Sequence, residues 1–213
     1  MPNNLQPSVK RPLLIVFLVL LIDQASKFIV KLTMTIGQEI PYIGNWAIIH
    51  FTENPGMAYG LQFSGEWGKL ALSLFRILAV IAIGLYLFLL TRRKTPFGPV
   101  FAITLILAGA LGNIIDSAFY GLIFSKSTYQ TVATFLPEGG GYAPFLYGKV
   151  VDMFYFPLIV LQQNQLPQWL PNFLFGSDGY FVFFRPVFNV ADSAITIGVA
   201  WLLLFERKFL KKL

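Results

Sequence analysis

The chain has no cysteine, a single histidine, and few charges: only 12% of its 213 residues are Asp, Glu, Lys or Arg. Without cysteine there is no disulfide, no thiolate metal site and no cysteine nucleophile. With His50 alone, and no H-E-x-x-H, the sequence offers no support for a zinc protease. No G-x-S-x-G turn occurs and no histidine accompanies the serines of the apolar segments, so a serine triad is unsupported. His50 falls in an aromatic and β-branched stretch and reads as a surface or sheet residue. Soluble domains carry about 25% charged residues, so the shortage points away from water.

Apolar residues make up 56% of the chain, more than one soluble core of this length needs. Four windows approach the ~20 residues that span a bilayer: 12–32, 69–91, 98–121 and 189–206. The expected class is a mainly α membrane protein, four transmembrane helices with a small external β-sheet on the membrane surface, built as one domain over 1–213. The net charge of +6 invites a nucleic-acid reading, but the positions of the charges oppose it. Lys10, Arg11, Arg92, Arg93, Lys94, Arg207, Lys208, Lys211 and Lys212 all fall on one side of a four-span model. That is the positive-inside pattern. It predicts both termini in the cytoplasm and segments 33–68 and 122–188 outside. The basic start and apolar run resemble a signal peptide, but no small-x-small site follows, and the segment reads as retained.

In "NWAIIHFTENPGMAYG" (45–60), a strand-like beginning meets an Asn-Pro-Gly turn signal. The second long connection is rich in Gly, Pro and aromatics, Trp169 among them, a composition suited to packing against the bilayer. Ala108 and Gly112, four apart, would admit a close neighbouring helix.

Carboxylates and carboxamides are the chemistry that remains. Asp23, Asp116, Asp152 and Asp192 stand in or beside apolar segments, where an ionisable group at the centre costs about 2.5–3.5 kcal/mol even on lenient scales. Two of them have bland explanations. Asp192 or Asn189 would serve as a helix N-cap, and Asp116 would pair with Lys27 or Arg76. Four aspartates delivered toward the same membrane face favour a site. Two carboxyls at a partly dry site would share a proton and act as base and acid on a water. A proton-coupled transporter or channel subunit would use similar residues, and a purely structural subunit would tolerate their loss.

Five blocks in order resemble the bacterial lipoprotein signal peptidases (signal peptidase II): "LIDQASKFIV" (21–30), "FTENPGMAYG" (51–60), "GALGNIID" (109–116), "VVDMFYF" (150–156) and "FNVADSAITIG" (188–198). The resemblance implies an aspartyl endopeptidase of the bacterial inner membrane. It would remove the signal peptide before a diacylglyceryl-modified cysteine, with its site near the outer face and no metal or organic cofactor. It implies Asp152 and Asp192 as the catalytic pair, with Asp23, Asn54, Gly56, Asn113, Asp116 and Asn189 supporting the site or the substrate. The expected partners are prolipoproteins and membrane lipids, with no nucleic acid, and a monomer is expected. Two departures stand out. Ser117 replaces the family's Arg, leaving Lys27, Arg76 or Arg185 to supply a cation for Asp116. The connections on either side of Asp152 are also enlarged.

Overall fold

The computed structural model describes residues 9–55, 65–165, 167, 169, 171, 174–176 and 179–211. Among these, three helical stretches are long and apolar enough to cross a membrane. Helix α1 (Lys10–Thr33) carries Pro12 in its first turn, where a missing N–H costs nothing. Helix α2 covers Gly65–Arg92. The third stretch begins behind Pro96 as α3 (Phe97–Ile115), widens into a π-helical turn (Asp116–Tyr120) and closes with α4 (Gly121–Ile123). A shorter apolar helix, α5 (Val190–Phe205), follows near the end, with α6 (Arg207–Leu210) behind it. Its 16 residues reach about 24 Å, short of the ~30 Å hydrocarbon layer. Three expected spans therefore lie within long helices, and the fourth is a shorter one.

Leu14, Phe17, Leu21, Phe75, Leu78 and Leu85 are all exposed. Such continuous apolar surface would drive aggregation in water and is the ordinary exterior of a helix in lipid. Helix α3 sits at the centre, packed mainly on α5 and also on α1 and α2. Its approach to α5 depends on glycine. A Cβ on Gly109 would lie 2.2 Å from the Ala191 carbonyl oxygen, and one on Gly198 would lie 2.6 Å from that of Ala102. Small residues do set this interface. Gly109 makes the closest approach, whereas Gly112 faces Asp23 and Ala191, and Ala108 is buried.

Strands β1 (Glu39–Ile43), β2 (Ala47–Asn54), β3 (Val150–Tyr155) and β6 (Val187–Phe188) form an antiparallel sheet in the order β1-β2-β3-β6. Strands β4 (Ile159–Gln162) and β5 (Tyr180–Phe183) form a separate antiparallel pair. The strand expected in 45–60 is β2; the turn beyond Pro55 lies outside the described residues. Strand β3 alternates. Val151 and Met153 join a core with Phe51, Tyr120, Phe124, Val30 and Met34, which seats the sheet on the ends of α1 and the third span. Asp152 takes the opposite face, as period-2 geometry requires. Thr52 lies opposite Asp152, and Phe188 opposite Phe154, so β6 delivers Asn189 beside Asp152.

Candidate active site

Asp23, Lys27 and Lys31 recur every four residues of α1, so they share one face, and all three are fully buried. The Lys27 ammonium lies 2.9 Å from Asp23 Oδ2 and 2.8 Å from Asp116 Oδ2. It also donates to Asn113 Oδ1 at 3.1 Å. Gln24 Nε2 bridges the same two carboxylates, 3.0 Å from each, and its Oε1 accepts from the Tyr120 hydroxyl. Asp23 Oδ1 accepts the Ala191 N–H at 2.9 Å, placing a negative charge on the free N–H groups that open α5. Lys27 is thus the cation that Ser117 does not supply. The Ser117 hydroxyl is spent on the Asn113 carbonyl one turn back.

Next to this ion group, two amides connect Asp152 and Asp192. Asn189 is the N-cap of α5, and with Asp192 it forms a reciprocal capping box. Its Oδ1 accepts from Asp192 N at 2.9 Å, and its own N–H donates to Asp192 Oδ2 at 3.3 Å. Asn189 Nδ2 donates to Asp152 Oδ1 at 2.7 Å and also reaches Asn113 Oδ1 and the Val151 carbonyl. Asn113 Nδ2 in turn donates to Asp192 Oδ1 at 2.8 Å. The N-cap role and the site role of this pair are therefore one arrangement. Asn54, two residues beyond Thr52 on β2, hydrogen-bonds Asp152 as well.

Asp152 is 3% exposed while Asp192 is half-buried. Burial first, and the Asp192 charge second, push the Asp152 carboxyl up to about 7, against the opposing effect of the Asn189 and Asn54 bonds and Lys27. The charge of Arg76, on α2, acts on Asp192, Asp152 and Asp116, so a fourth helix faces the group. The arrangement can hold a proton on one carboxyl beside a more accessible partner, which is the requirement for acid–base work on a water. Among the described residues no three acidic or histidine side chains are grouped as a metal's ligands would be.

Asp23, Asn54, Asn113, Asp116, Asp152, Asn189 and Asp192 are gathered here, whereas Gly56 lies outside the described residues. Gln24 and Tyr120 escape a sequence reading, because an amide and a phenol carry no conspicuous cost. Lys31 and Glu53 also escaped: they form an ion pair, completed by Ser127 and by Lys149 at 3.4 Å. The available signal was the four-residue spacing from Lys27. His50 lies in β2 with its Nδ1 2.7 Å from Glu39 Oε1, in agreement with a sheet residue.

Residues 15–207 match the model of the Peptidase_A8 family, signal peptidase (SPase) II. The lipoprotein signal peptidase of Porphyromonas gingivalis is 48% identical over 190 residues, spanning 89% of this chain and 79% of that protein. That of Amoebophilus asiaticus is 38% identical over 196 residues, spanning 91% and 76%. A bacterial membrane enzyme solved by the in meso method at 2.3 Å superposes with a TM-score of 0.58 at 26% identity, covering 94% of this chain and 89% of that one.

Proposed function

The chain belongs to the signal peptidase II family, and from that premise we propose that it is an aspartyl endopeptidase acting on prolipoproteins, with Asp152 and Asp192 as its catalytic pair. The observation that carries the assignment is Asn189, which donates to Asp152 and is locked to Asp192 by the capping box. In this reading Asp152, the more buried carboxyl, holds the proton and donates to the scissile carbonyl. Asp192, the more exposed, takes a proton from water as the water oxygen attacks the carbonyl carbon. Collapse of the tetrahedral intermediate breaks the C–N bond, and a proton passes from the pair to the leaving amine.

The cut falls before a diacylglyceryl-cysteine, the enzyme works as a monomer, and the chain is one domain of the bacterial inner membrane. Helix α5 is the fourth span, the termini are cytoplasmic, and the site lies near the outer face. Support comes from the basic residues at the start of α1, the end of α2 and on α6 behind α5. An ion path would string its carboxylates through the membrane depth, whereas Asp23, Asp116, Asp152 and Asp192 here share one hydrogen-bonded group.

The test is cleavage of a prolipoprotein in lipid, with and without its diacylglycerol, by wild type and by Asp152→Asn and Asp192→Asn. Each substitution keeps shape but removes proton transfer, so each should abolish cleavage without loss of substrate binding. The double variant should lose little more. Equal rates on lipidated and unlipidated substrate, or normal turnover by either single variant, would refute the assignment.

A further inference from the structure

Away from the carboxylates, a cavity of about 490 Å³ opens among Lys126, Tyr142, Ala143, Pro144, Tyr147 and Lys149. Lysines collect around it. Lys69 donates to the Tyr147 carbonyl on its wall and feels the charges of Lys149 and Glu53. Lys31 lies 4.9 Å from the Tyr142 ring centre, on the buried side. Glu53 is paired with both Lys31 and Lys149. Four ammonium groups against one carboxylate leave an excess of three positive charges. Lys126 is exposed and makes no ion pair among the described residues.

The depth of this cavity follows from the helices that flank it. Lys69 is the second residue of the apolar stretch Gly68–Arg92, and Lys126 follows three residues after Ile123, where the stretch Phe97–Ile123 ends. Two membrane-crossing helices thus place their ends beside the cavity, at the level of lipid headgroups. Next to the lining residues Ala143 and Pro144 the surface is apolar. Phe119, Leu122 and Phe145 are 47%, 44% and 50% exposed, and the rings of Phe119 and Phe145 are 5.8 Å apart.

We propose that this cavity is a binding site for one anionic phospholipid, its phosphodiester held by Lys126, Lys149 and Lys69 and its acyl chains lying on Phe119, Leu122 and Phe145. The cationic excess supplies the attraction, the tyrosines suit the interface between headgroup and water, and the volume falls within the range of small-molecule sites. A soluble anion would satisfy the lysines but leave the exposed Phe119, Leu122 and Phe145 beside them uncovered. The proposal rests on the membrane-crossing helices and not on cleavage chemistry, so it and the peptidase assignment fail by different measurements.

The test is native mass spectrometry of the full chain in neutral detergent, titrated with phosphatidylglycerol. Comparison ligands are a diacylglycerol of the same chains, glycerol phosphate and a short acidic peptide. One phosphatidylglycerol should be retained, about fivefold more weakly by Lys126→Ala and about 25-fold more weakly by Lys126→Glu, from the contribution of one lysine near an anionic lipid. Diacylglycerol binding should not change between variants. Unchanged phosphatidylglycerol retention in both variants would overturn the site. Displacement of the lipid by equimolar glycerol phosphate would convert it to a free-anion site, and displacement by the peptide to a peptide site; either result refutes the proposal.

Discussion

Asp152→Asn should make the protein more stable in alkaline solution while removing its activity. In the unfolded chain this carboxyl ionises near its ordinary value of 3.8, but burial and Asp192 hold it up at about 7 in the folded protein. Between these values the native state keeps a proton that the unfolded chain has released. Stability therefore falls as pH rises through the window, and above about 7 the loss is complete. Roughly three units of separation correspond to about 4 kcal/mol. Asparagine has no proton to lose and can still accept the Asn189 bond, so the variant escapes this loss. At about 2–4 °C per kcal/mol for a chain of this size, the variant should melt on the order of 10 °C above wild type at pH 8.

The assay is thermal unfolding in detergent, followed by tryptophan fluorescence, of both proteins from pH 4 to pH 8. Every other titrating group is common to the two, so the difference between melting temperatures reports Asp152 together with the Asp192 charge coupled to it. The gap should open between pH 4 and 7 in favour of the variant. A gap that stays constant across that range would mean that Asp152 does not hold a proton, and the acid role assigned to it would fall. The same titration sets an activity limb: cleavage by wild type should decline as pH rises through about 7, because the carboxyl that polarises the scissile carbonyl is then charged.

Lys27→Met should destabilise by roughly 3–5 kcal/mol, because Asp23 and Asp116 are left buried without their cation. Chemical denaturation in mixed micelles checks this, and adding Asp23→Asn and Asp116→Asn to the same chain should recover most of the loss. For topology, single cysteines at Arg93 and Glu138 of this cysteine-free chain should react differently with an impermeant thiol reagent applied outside. Position 138 should label and position 93 should not; the reverse result would invert the proposed orientation.

How much of this was legible follows from which interactions are local. Long apolar runs announced α1, α2 and the third span, and an aromatic and β-branched run before a turn signal announced β2, because each pattern is written within one element. The partners of β2 could not be read, since β3 lies about a hundred residues further on and a two-residue strand such as β6 has no pattern of its own. The Asp23–Lys27 pair was open to an i,i+4 reading. That Lys27 also holds Asp116 depends on how α1 crosses α3, where Gly112 admits Asp23: a Cβ there would lie 2.6 Å from Asp23 Oδ2. The shortness of α5 was hidden too, because the apolar composition continues through a segment whose first residue is a cap.

The hydrogen-bond pattern also divides the labour of the proposed pair. Asn113 Oδ1 receives Lys27 and Asn189, so its amide nitrogen must face Asp192; Asn189 Oδ1 receives the Asp192 N–H, so its nitrogen must face Asp152. Both amides are thereby prevented from flipping, one by a buried cation and the other by a helix N-terminus. Asp192 then accepts on both oxygens, from Asn113 and from the Asn189 backbone. Asp152 Oδ1 is likewise an acceptor. Asn54, whose amide can donate or accept, bonds Asp152 without conflict in either state. These donors orient the two carboxyls of the proposed pair. Lys27, which touches neither carboxylate of the pair, acts on Asp152 by its charge and on Asp192 through Asn113, whose amide it holds in one direction.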